Sequence, residues 1–131
     1  MLGSSDLVAF VATTDLDRAR AFYGGVLGLS VVEEVPFACV FDAHGTSLRV
    51  TPVGEIRAAP YTVLGWVVDD IGATVDALGT AGVGLERFEG VEQDDRGVWA
   101  TPSGAQVAWF TDPDGNVLSV TQVPSLSGEA S

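Results

Sequence analysis

The side chains of this chain that are best suited to bind a small molecule are aromatic rings, an arginine and a serine in strand-like segments. Indole and phenyl rings can stack on a planar ligand, and a guanidinium can pair with a carboxylate or an enolate. The candidate ligand-binding residues are Phe10, Phe37, Phe41, Arg49, Trp99, Trp109 and Ser119. Whether these side chains share a site depends on the elements that carry them.

Two residues that often serve in catalysis, His44 and Cys39, lack the neighbours that catalysis needs. His44 stands in the segment DAHG, which is typical of a turn, and no partner for acid–base chemistry is visible beside it. Cys39 is the only cysteine, and no His or Asn arrangement accompanies it. We therefore expect a solvated turn histidine and a small buried thiol, and we assign no catalytic residue.

Hydrophobic spacing predicts a strand, a helix and three strands, in an order that occurs twice. Residues 1–53 form the first βαβββ module and residues 61–123 the second, with residues 54–60 as a linker and residues 124–131 as a flexible tail. In the second module, strand character after the helix appears in GLERFEGV, GVWATP, QVAWFTD and NVLSVTQ. The fold class is α+β, and the two modules together make one domain, because 131 residues are one domain's length.

The last strand of each module alternates apolar and polar residues. Leu48 and Val50 flank Arg49 in the first module, and Leu118 precedes Ser119 in the second. Successive side chains of a strand point to opposite faces, so the apolar residues face the helices while Arg49 and Ser119 face away from them.

Counting residues around the turns predicts which aromatic residues join the polar face. Around DPDG the count places Trp109 opposite Ser119, and the PSG turn adds Trp99 to the same face. Around DAHG the equivalent count places Cys39 opposite Arg49. A register error of one residue would reverse each assignment.

The count around DAHG also puts Phe37 and Phe41 on the face away from the helices, where Phe10 of the first strand joins them. We therefore predict that two curled mixed sheets enclose an aromatic cleft with a few polar groups, the usual composition of a small-molecule site. The alternative is that the aromatic rings fill a closed second core. Polar side chains such as Arg49 favour the cleft, because they would need partners in a dry interior.

The charge of the chain excludes several kinds of partner. Eighteen acidic residues against six arginines, with no lysine, give a net charge of −12, so no nucleic-acid partner is expected. No apolar run approaches the ~20 residues that cross a bilayer, and the N-terminus lacks signal-peptide features, so we expect a cytoplasmic protein without a membrane partner. The acidic surface serves solubility first, although its field would also attract a cationic small molecule. The run ERFEGVEQDDRG is interpreted as a solvated loop that would rim the cleft with negative charge.

Two segments resemble the signature sequences of a known family. FVATTDLDRARAFYGGVLGLSVVEE and WFTDPDGNVLSVTQ are similar to those of the vicinal oxygen chelate superfamily, which includes the glyoxalases, the bleomycin resistance proteins and the extradiol dioxygenases. The resemblance covers nearly the whole chain. It implies the glyoxalase/bleomycin resistance fold and a homodimer.

The resemblance also locates the positions where metalloenzymes of this superfamily carry their metal ligands. These positions fall at Val8, Arg49, Val63 and Ser119. Valine offers no donor atom, and arginine brings a positive charge and no acceptor. We therefore expect a metal-free member without a cofactor.

Three functions are open at the level of the sequence. The first is a binding protein that resembles the antibiotic resistance members and holds a planar antibiotic or metabolite between aromatic rings. The second is an enzyme of the same superfamily, a lyase, isomerase or dioxygenase-like protein, that is metal-independent or has displaced ligands and uses Arg49 to bind an anionic group. The third is an interaction module with a vestigial pocket. We favour the first, because the missing ligands argue against the metal chemistry of the superfamily.

Overall fold

A computed structural model of the chain describes residues 1–124. Contacts within the chain define two compact units, the first comprising Met1–Ala58 with Asp112–Gly115 and the second comprising Ala59–Thr111 with the residues from 116 onward. The first unit contains the predicted module 1–53, and the second unit contains the predicted module 61–123 apart from Asp112–Gly115, which belong to the first unit. The predicted tail of residues 124–131 lies, apart from its first residue, outside the described residues.

The first unit has the predicted βαβββ order. Its elements are β1 (Val8–Thr13), α1 (Leu16–Arg20) with a π-helical continuation (Ala21–Val26), β2 (Ser30–Val35), β3 (Ala38–Ala43) and β4 (Thr46–Pro52). They form one mixed sheet in the order β1-β4-β3-β2, in which β1 is parallel to β4 and the other pairs are antiparallel.

The helix of the first unit begins at a capped end and finishes in a wider turn. The Asp15 side chain caps the helix by accepting a hydrogen bond from the Arg18 N–H. In the π-helical turn the Leu27 N–H donates to the carbonyl of Phe22, five residues earlier. Phe22 and Tyr23 of this turn are buried, so the helix supplies two aromatic rings to the core of this unit.

The hairpin between β3 and β4 has a different register from the predicted one. Ala43 pairs with Thr46, so His44 and Gly45 alone form the turn, and both have positive φ angles, 53° and 94°. Two positive φ angles are the signature of a tight type I′ turn, which the count around DAHG did not include. The register therefore shifts by one residue, and the side chains of β3 change face.

The second unit repeats the order with a broken edge strand. Its elements are β5 (Thr62–Val67), α2 (Ile71–Thr80), β6 (Leu85–Glu86), β7 (Trp99–Ala100), β8 (Gln106–Thr111) and β9 (Val117–Gln122). The sheet order is β5-β9-β8-β6, with β5 parallel to β9, and β7 also pairs with β8. The predicted strands GLERFEGV and GVWATP are thus two short segments on one edge of β8, joined by the loop of residues 87–98.

The apolar face of α2 packs on the sheet of the second unit as its spacing predicted. Ile71, Val75 and Leu78 are buried, and the helix contacts β8 and β9. The strands present Phe110 and Leu118 to this core, both nearly inaccessible to solvent. Neither helix in the described part of the chain has the length and apolar character needed to span a membrane.

Candidate functional site

The face of the second sheet that points away from α2 carries a pair of stacked tryptophans. Trp109 of β8 pairs with Ser119 of β9, and Trp99 of β7 pairs with Val107 of β8. The two indole rings lie 6.1 Å apart between centroids at an angle of 21°. The predicted register around DPDG and the predicted approach of Trp99 to Trp109 are both confirmed, because the five-residue loop 112–116 leaves Trp109 and Ser119 directly opposite each other.

A third ring, which the sequence analysis did not select, completes this aromatic cluster. Phe88 meets Trp109 edge to face, with centroids 5.2 Å apart and an angle of 90°. Both indoles and Phe88 are half-buried, so ring surface stays accessible. Phe88 belongs to the charged run that was interpreted as a solvated loop. It lies two residues after Glu86, which pairs with Trp109, and this spacing is the signal in the sequence that places Phe88 on the same face as Trp109.

Ser119 is buried beside these rings and its hydroxyl has no hydrogen-bond partner among residues 1–124. The residue is only 8% exposed. On its other side it pairs with Gly65 of β5, and a Cβ added at Gly65 would lie 2.8 Å from the Ser119 Oγ. A side chain at position 65 would therefore collide with the hydroxyl, and the glycine leaves the room that the serine side chain occupies. Gly65 is a second residue of this site that the sequence analysis missed, although a glycine inside a strand is a recognisable signal.

The first unit places Phe10 and Arg49 together on the face of its sheet away from the helix. They are register partners of β1 and β4, equivalent to Gly65 and Ser119 of the second unit at the predicted offsets of 55 and 70 residues. Phe10 is 64% exposed, whereas Arg49 is half-buried and forms no salt bridge with any described residue. A guanidinium without an acidic partner can bind an anionic or carbonyl group.

Two of the candidate residues do not lie on that face. Phe41 pairs with Leu48, whose side chain is buried in the core. Phe41 is also fully buried, and its ring centroid lies 6.1 Å from that of Tyr23. Phe37 lies in the turn between β2 and β3 and is 63% exposed. The prediction that both rings line the polar face is wrong, because the two-residue turn shifts the register of β3, and because β3 begins at Ala38 and leaves Phe37 in the preceding turn.

The same shift corrects the predicted partner of Cys39. Cys39 pairs with Val50, and Val40 takes the place opposite Arg49. Cys39 is buried, as expected for a small apolar residue, and burial raises the pKa of its thiol. His44 is exposed in its turn. Neither residue has the surroundings of a nucleophile or a general base.

The four positions that would hold a metal ion do not fit one. Val8 and Arg49 lie in the first unit, and Val63 and Ser119 lie in the second. Of these four side chains, only the Ser119 hydroxyl has a lone pair that it could donate to a metal ion. Nowhere in residues 1–124 do three or more His, Cys, Asp or Glu side chains form a group that could hold a metal ion. Divalent ions in proteins take several imidazole, thiolate or carboxylate ligands, which this set does not supply.

The turn that follows β8 contributes two buried carboxylates to the first unit. The hydroxyl of Tyr23 donates to Asp112 Oδ2 at 2.6 Å in a buried hydrogen bond. Burial first, and then the hydrogen bond to Asp112, raise the pKa of Tyr23 well above its usual value. The tyrosine is therefore a permanent neutral donor, and the contact is a structural anchor for the turn.

Asp114 of the same turn is held by the start of the helix. Its side chain is 3% exposed and accepts hydrogen bonds from the hydroxyls of Thr13 and Thr14, from the Thr14 N–H and from Arg18. Burial opposes its ionisation, but the hydrogen bonds and the charge of Arg18 outweigh burial and lower the pKa of Asp114. The residue pattern of DPDG predicted a turn but gave no sign of these contacts, because their partners lie about 100 residues earlier in the chain.

Comparisons with known proteins agree with this architecture. A family model described as "Glyoxalase/Bleomycin resistance protein/Dioxygenase superfamily" matches residues 6–120. No curated protein matches the chain in sequence. Among solved structures, the lactoylglutathione lyase of Agrobacterium tumefaciens is 22% identical, with a TM-score of 0.70 over 93% of this chain and 96% of that one.

Two further structures show the same fold at lower identity. A glyoxalase/bleomycin resistance protein/dioxygenase from Alicyclobacillus acidocaldarius is 18% identical, with a TM-score of 0.68 over 92% of each chain. The fosfomycin resistance protein FosX of Listeria monocytogenes is 12% identical, with a TM-score of 0.74 over 97% of this chain and 98% of that one. At these identities the likeness establishes the mixed α+β fold, and function has to be argued from the site.

Proposed function

Because the chain belongs to the glyoxalase/bleomycin resistance protein/dioxygenase superfamily, we propose that it is a small-molecule-binding protein that holds a planar ligand on the aromatic face of its second unit, without a metal. The ligand class is an antibiotic or a metabolite with at least one aromatic ring. Membership of the superfamily accounts for the fold, whereas the argument for ligand binding comes from the residues of this face.

The observation that carries the proposal is the unpartnered hydroxyl of Ser119. A buried polar group without a hydrogen bond costs about 1–3 kcal/mol of stability, so native structures retain very few of them. Here the hydroxyl lies over Gly65, 2.8 Å from where a Cβ of residue 65 would stand, and Ser119 pairs with Trp109 on the neighbouring strand. A ligand that stacks on the indole and hydrogen-bonds to Ser119 would recover that cost on binding.

The tryptophan pair supports the same ligand chemistry. Offset or edge-on ring contacts contribute ~1 kcal/mol beyond simple burial, and the side chains of Trp99 and Trp109 are already ordered by their mutual stacking. Ordering these side chains before binding reduces the entropy lost when a ligand arrives. The site therefore favours flat, rigid molecules over flexible chains.

The proposal is tested by a tryptophan-fluorescence titration with intercalating antibiotics, flavin-like heterocycles and aromatic acids, and by mass spectrometry of small molecules that purify with the protein. Trp109→Ala should weaken binding of any ligand by several-fold or more. Trp66→Phe is the matched control, because Trp66 pairs with Val120 on the opposite face of the sheet. A ligand that binds wild type and Trp109→Ala equally well would show that the aromatic face is not its site.

A metal-independent enzyme is the second candidate, and the observation that favours it is Arg49. Arg49 is half-buried, and its guanidinium has no acidic partner in the described chain and could stabilise a carboxylate or an enolate. The aromatic acids of the panel would then be converted as well as bound. Chromatographic detection of a product that wild type makes and Arg49→Ala does not would move this candidate ahead of simple binding.

A further inference from the structure

A single row of side chains crosses the sheet of the second unit on the face proposed to bind the ligand. Gly65 of β5 pairs with Ser119 of β9, Ser119 pairs with Trp109 of β8, and Trp109 pairs with Glu86 of β6. Residues paired across antiparallel strands point to the same face, so Glu86 stands beside Trp109 on the side away from Ser119. The row thus consists of Gly65, the Ser119 hydroxyl, the Trp109 indole and the Glu86 carboxylate, in that order across the sheet.

The facing of Glu86 is supported by its neighbours along the chain. Leu85 pairs with Phe110, which lies in the core under α2, and Phe88 contacts Trp109 on the aromatic face. Glu86 and Phe88 therefore lie on one face and Leu85 on the other, as strand alternation requires. The segment is also held in place, because the Gln93 side chain donates to the backbone carbonyl of Glu86.

The carboxylate of Glu86 is not neutralised by a basic side chain. No described residue forms a salt bridge with it, and the neighbouring Arg87 directs its guanidinium to the backbone carbonyls of Asp94 and Asp95. Glu86 is half-buried, so its negative charge is only partly screened by water. A ligand on Trp109 would meet an uncompensated acceptor.

We infer that the ligand is a planar heteroaromatic molecule with a protonated nitrogen or N–H donor that is held by Glu86, and a small polar substituent that reaches Ser119. The inference rests on the proposed function and names its ligand class. Two strand spacings separate Ser119 from Glu86, ~10 Å, a span comparable to a fused polycyclic ring system. The net charge of −12 acts in the same direction, since it attracts cations to the surface.

Two probes of similar shape and opposite charge test the inference: 9-aminoacridine, a cation at neutral pH, and acridine-9-carboxylate, an anion. Dissociation constants are measured by isothermal titration calorimetry at low salt on the 131-residue chain. Wild type should bind 9-aminoacridine at least tenfold more tightly than the carboxylate. Glu86→Gln should weaken 9-aminoacridine about five- to tenfold, a charge-assisted hydrogen bond discounted for partial exposure, and should leave the carboxylate unchanged or slightly favoured.

Glu89→Gln is the matched control. It removes the same charge three residues further along the chain, at an exposed position in the loop that follows β6, so it changes the net charge equally and should alter 9-aminoacridine binding less than twofold. Circular dichroism and urea midpoints identify any variant that is misfolded. If the Glu86 and Glu89 variants lose the same amount of affinity for 9-aminoacridine, the effect comes from the net charge of the protein and the inference is overturned.

The remaining outcomes separate the inference from the proposed function. If the carboxylate binds as tightly as 9-aminoacridine and both are weakened by Trp109→Ala, the aromatic site stands and the role of Glu86 is wrong. If 9-aminoacridine does not bind at millimolar concentration, the inferred ligand class is wrong, and the proposed function is then decided by the co-purification experiment.

Discussion

Replacing Ser119 by alanine should leave the protein as stable as wild type or make it more stable, while weakening ligand binding. A buried serine whose hydroxyl is hydrogen-bonded contributes about 1 kcal/mol, and its removal normally destabilises. The Ser119 hydroxyl has no such bond within residues 1–124, so the substitution removes only a group that lost its hydration on folding. We expect the free energy of unfolding to rise by up to ~1 kcal/mol.

The assay is equilibrium urea unfolding followed by far-ultraviolet circular dichroism, because fluorescence would report mainly on the nearby tryptophans. Ser47→Ala serves as the control for exchanging serine and alanine within a strand, since Ser47 lies in β4 at a half-buried position of the first unit. The m-values of the variants should match that of wild type, which keeps the comparison of midpoints valid.

The same variant should bind the ligand less well. Loss of one neutral hydrogen bond costs ~1 kcal/mol, which is about a fivefold rise in the dissociation constant. Opposite signs for stability and affinity are the signature of a group retained for binding. A loss of stability of more than ~1 kcal/mol relative to the Ser47 control would show that the hydroxyl has a partner in the free protein and would refute the reasoning.

Four further predictions address the remaining features. Tyr23→Phe removes the donor to Asp112 in a buried site and should lower the free energy of unfolding by about 1.5–3 kcal/mol in urea titrations, whereas the control Tyr61→Phe, at a 67% exposed position, should change it little. The pKa of Asp114 is lowered in the folded state, so its contribution to the free energy of unfolding is complete above the usual aspartate pKa of about 3.9 and is lost as the pH falls through the lowered value. In a plot of the urea midpoint against pH, Asp114→Asn should therefore reduce the decline at acid pH. An unchanged decline would contradict this. Elemental analysis after metal-supplemented expression and dialysis should find well under one equivalent of zinc, nickel, iron or manganese per chain, and one retained equivalent would restore the metalloenzyme reading. Light scattering should return twice the chain mass of 13.6 kDa for a homodimer, and a monomer mass at working concentrations would contradict it.

The sequence alone determined the element order, the family and one half of the candidate site. Hydrophobic spacing and alternation are local properties, so they located both βαβββ modules and the apolar face of α2. The residues of the DPDG turn fixed the loop length between β8 and β9, and with it the pairing of Trp109 with Ser119. These features depend on residues close together in the chain.

The sequence was insufficient to predict the register of β3, because that register depends on a backbone conformation that the residue type at the turn does not indicate. His44 adopts a positive φ angle that non-glycine residues rarely take, and the two-residue turn that results moved Phe41 from the open face into the core. One residue of register separates a ligand-binding ring from a core ring. The hydrophobicity of phenylalanine suits both places equally.

Tertiary structure alone decided which distant residues became neighbours. Glu86 and Gly65 join the row of Trp109 because β6 and β5 pair with β8 and β9, and no local pattern encodes which edges of a sheet those strands occupy. The contact of Asp112 with Tyr23 likewise connects positions 89 residues apart. Side-chain periodicity specifies which face of a strand is buried, whereas the partner across the strand is selected only by the packing of the whole sheet.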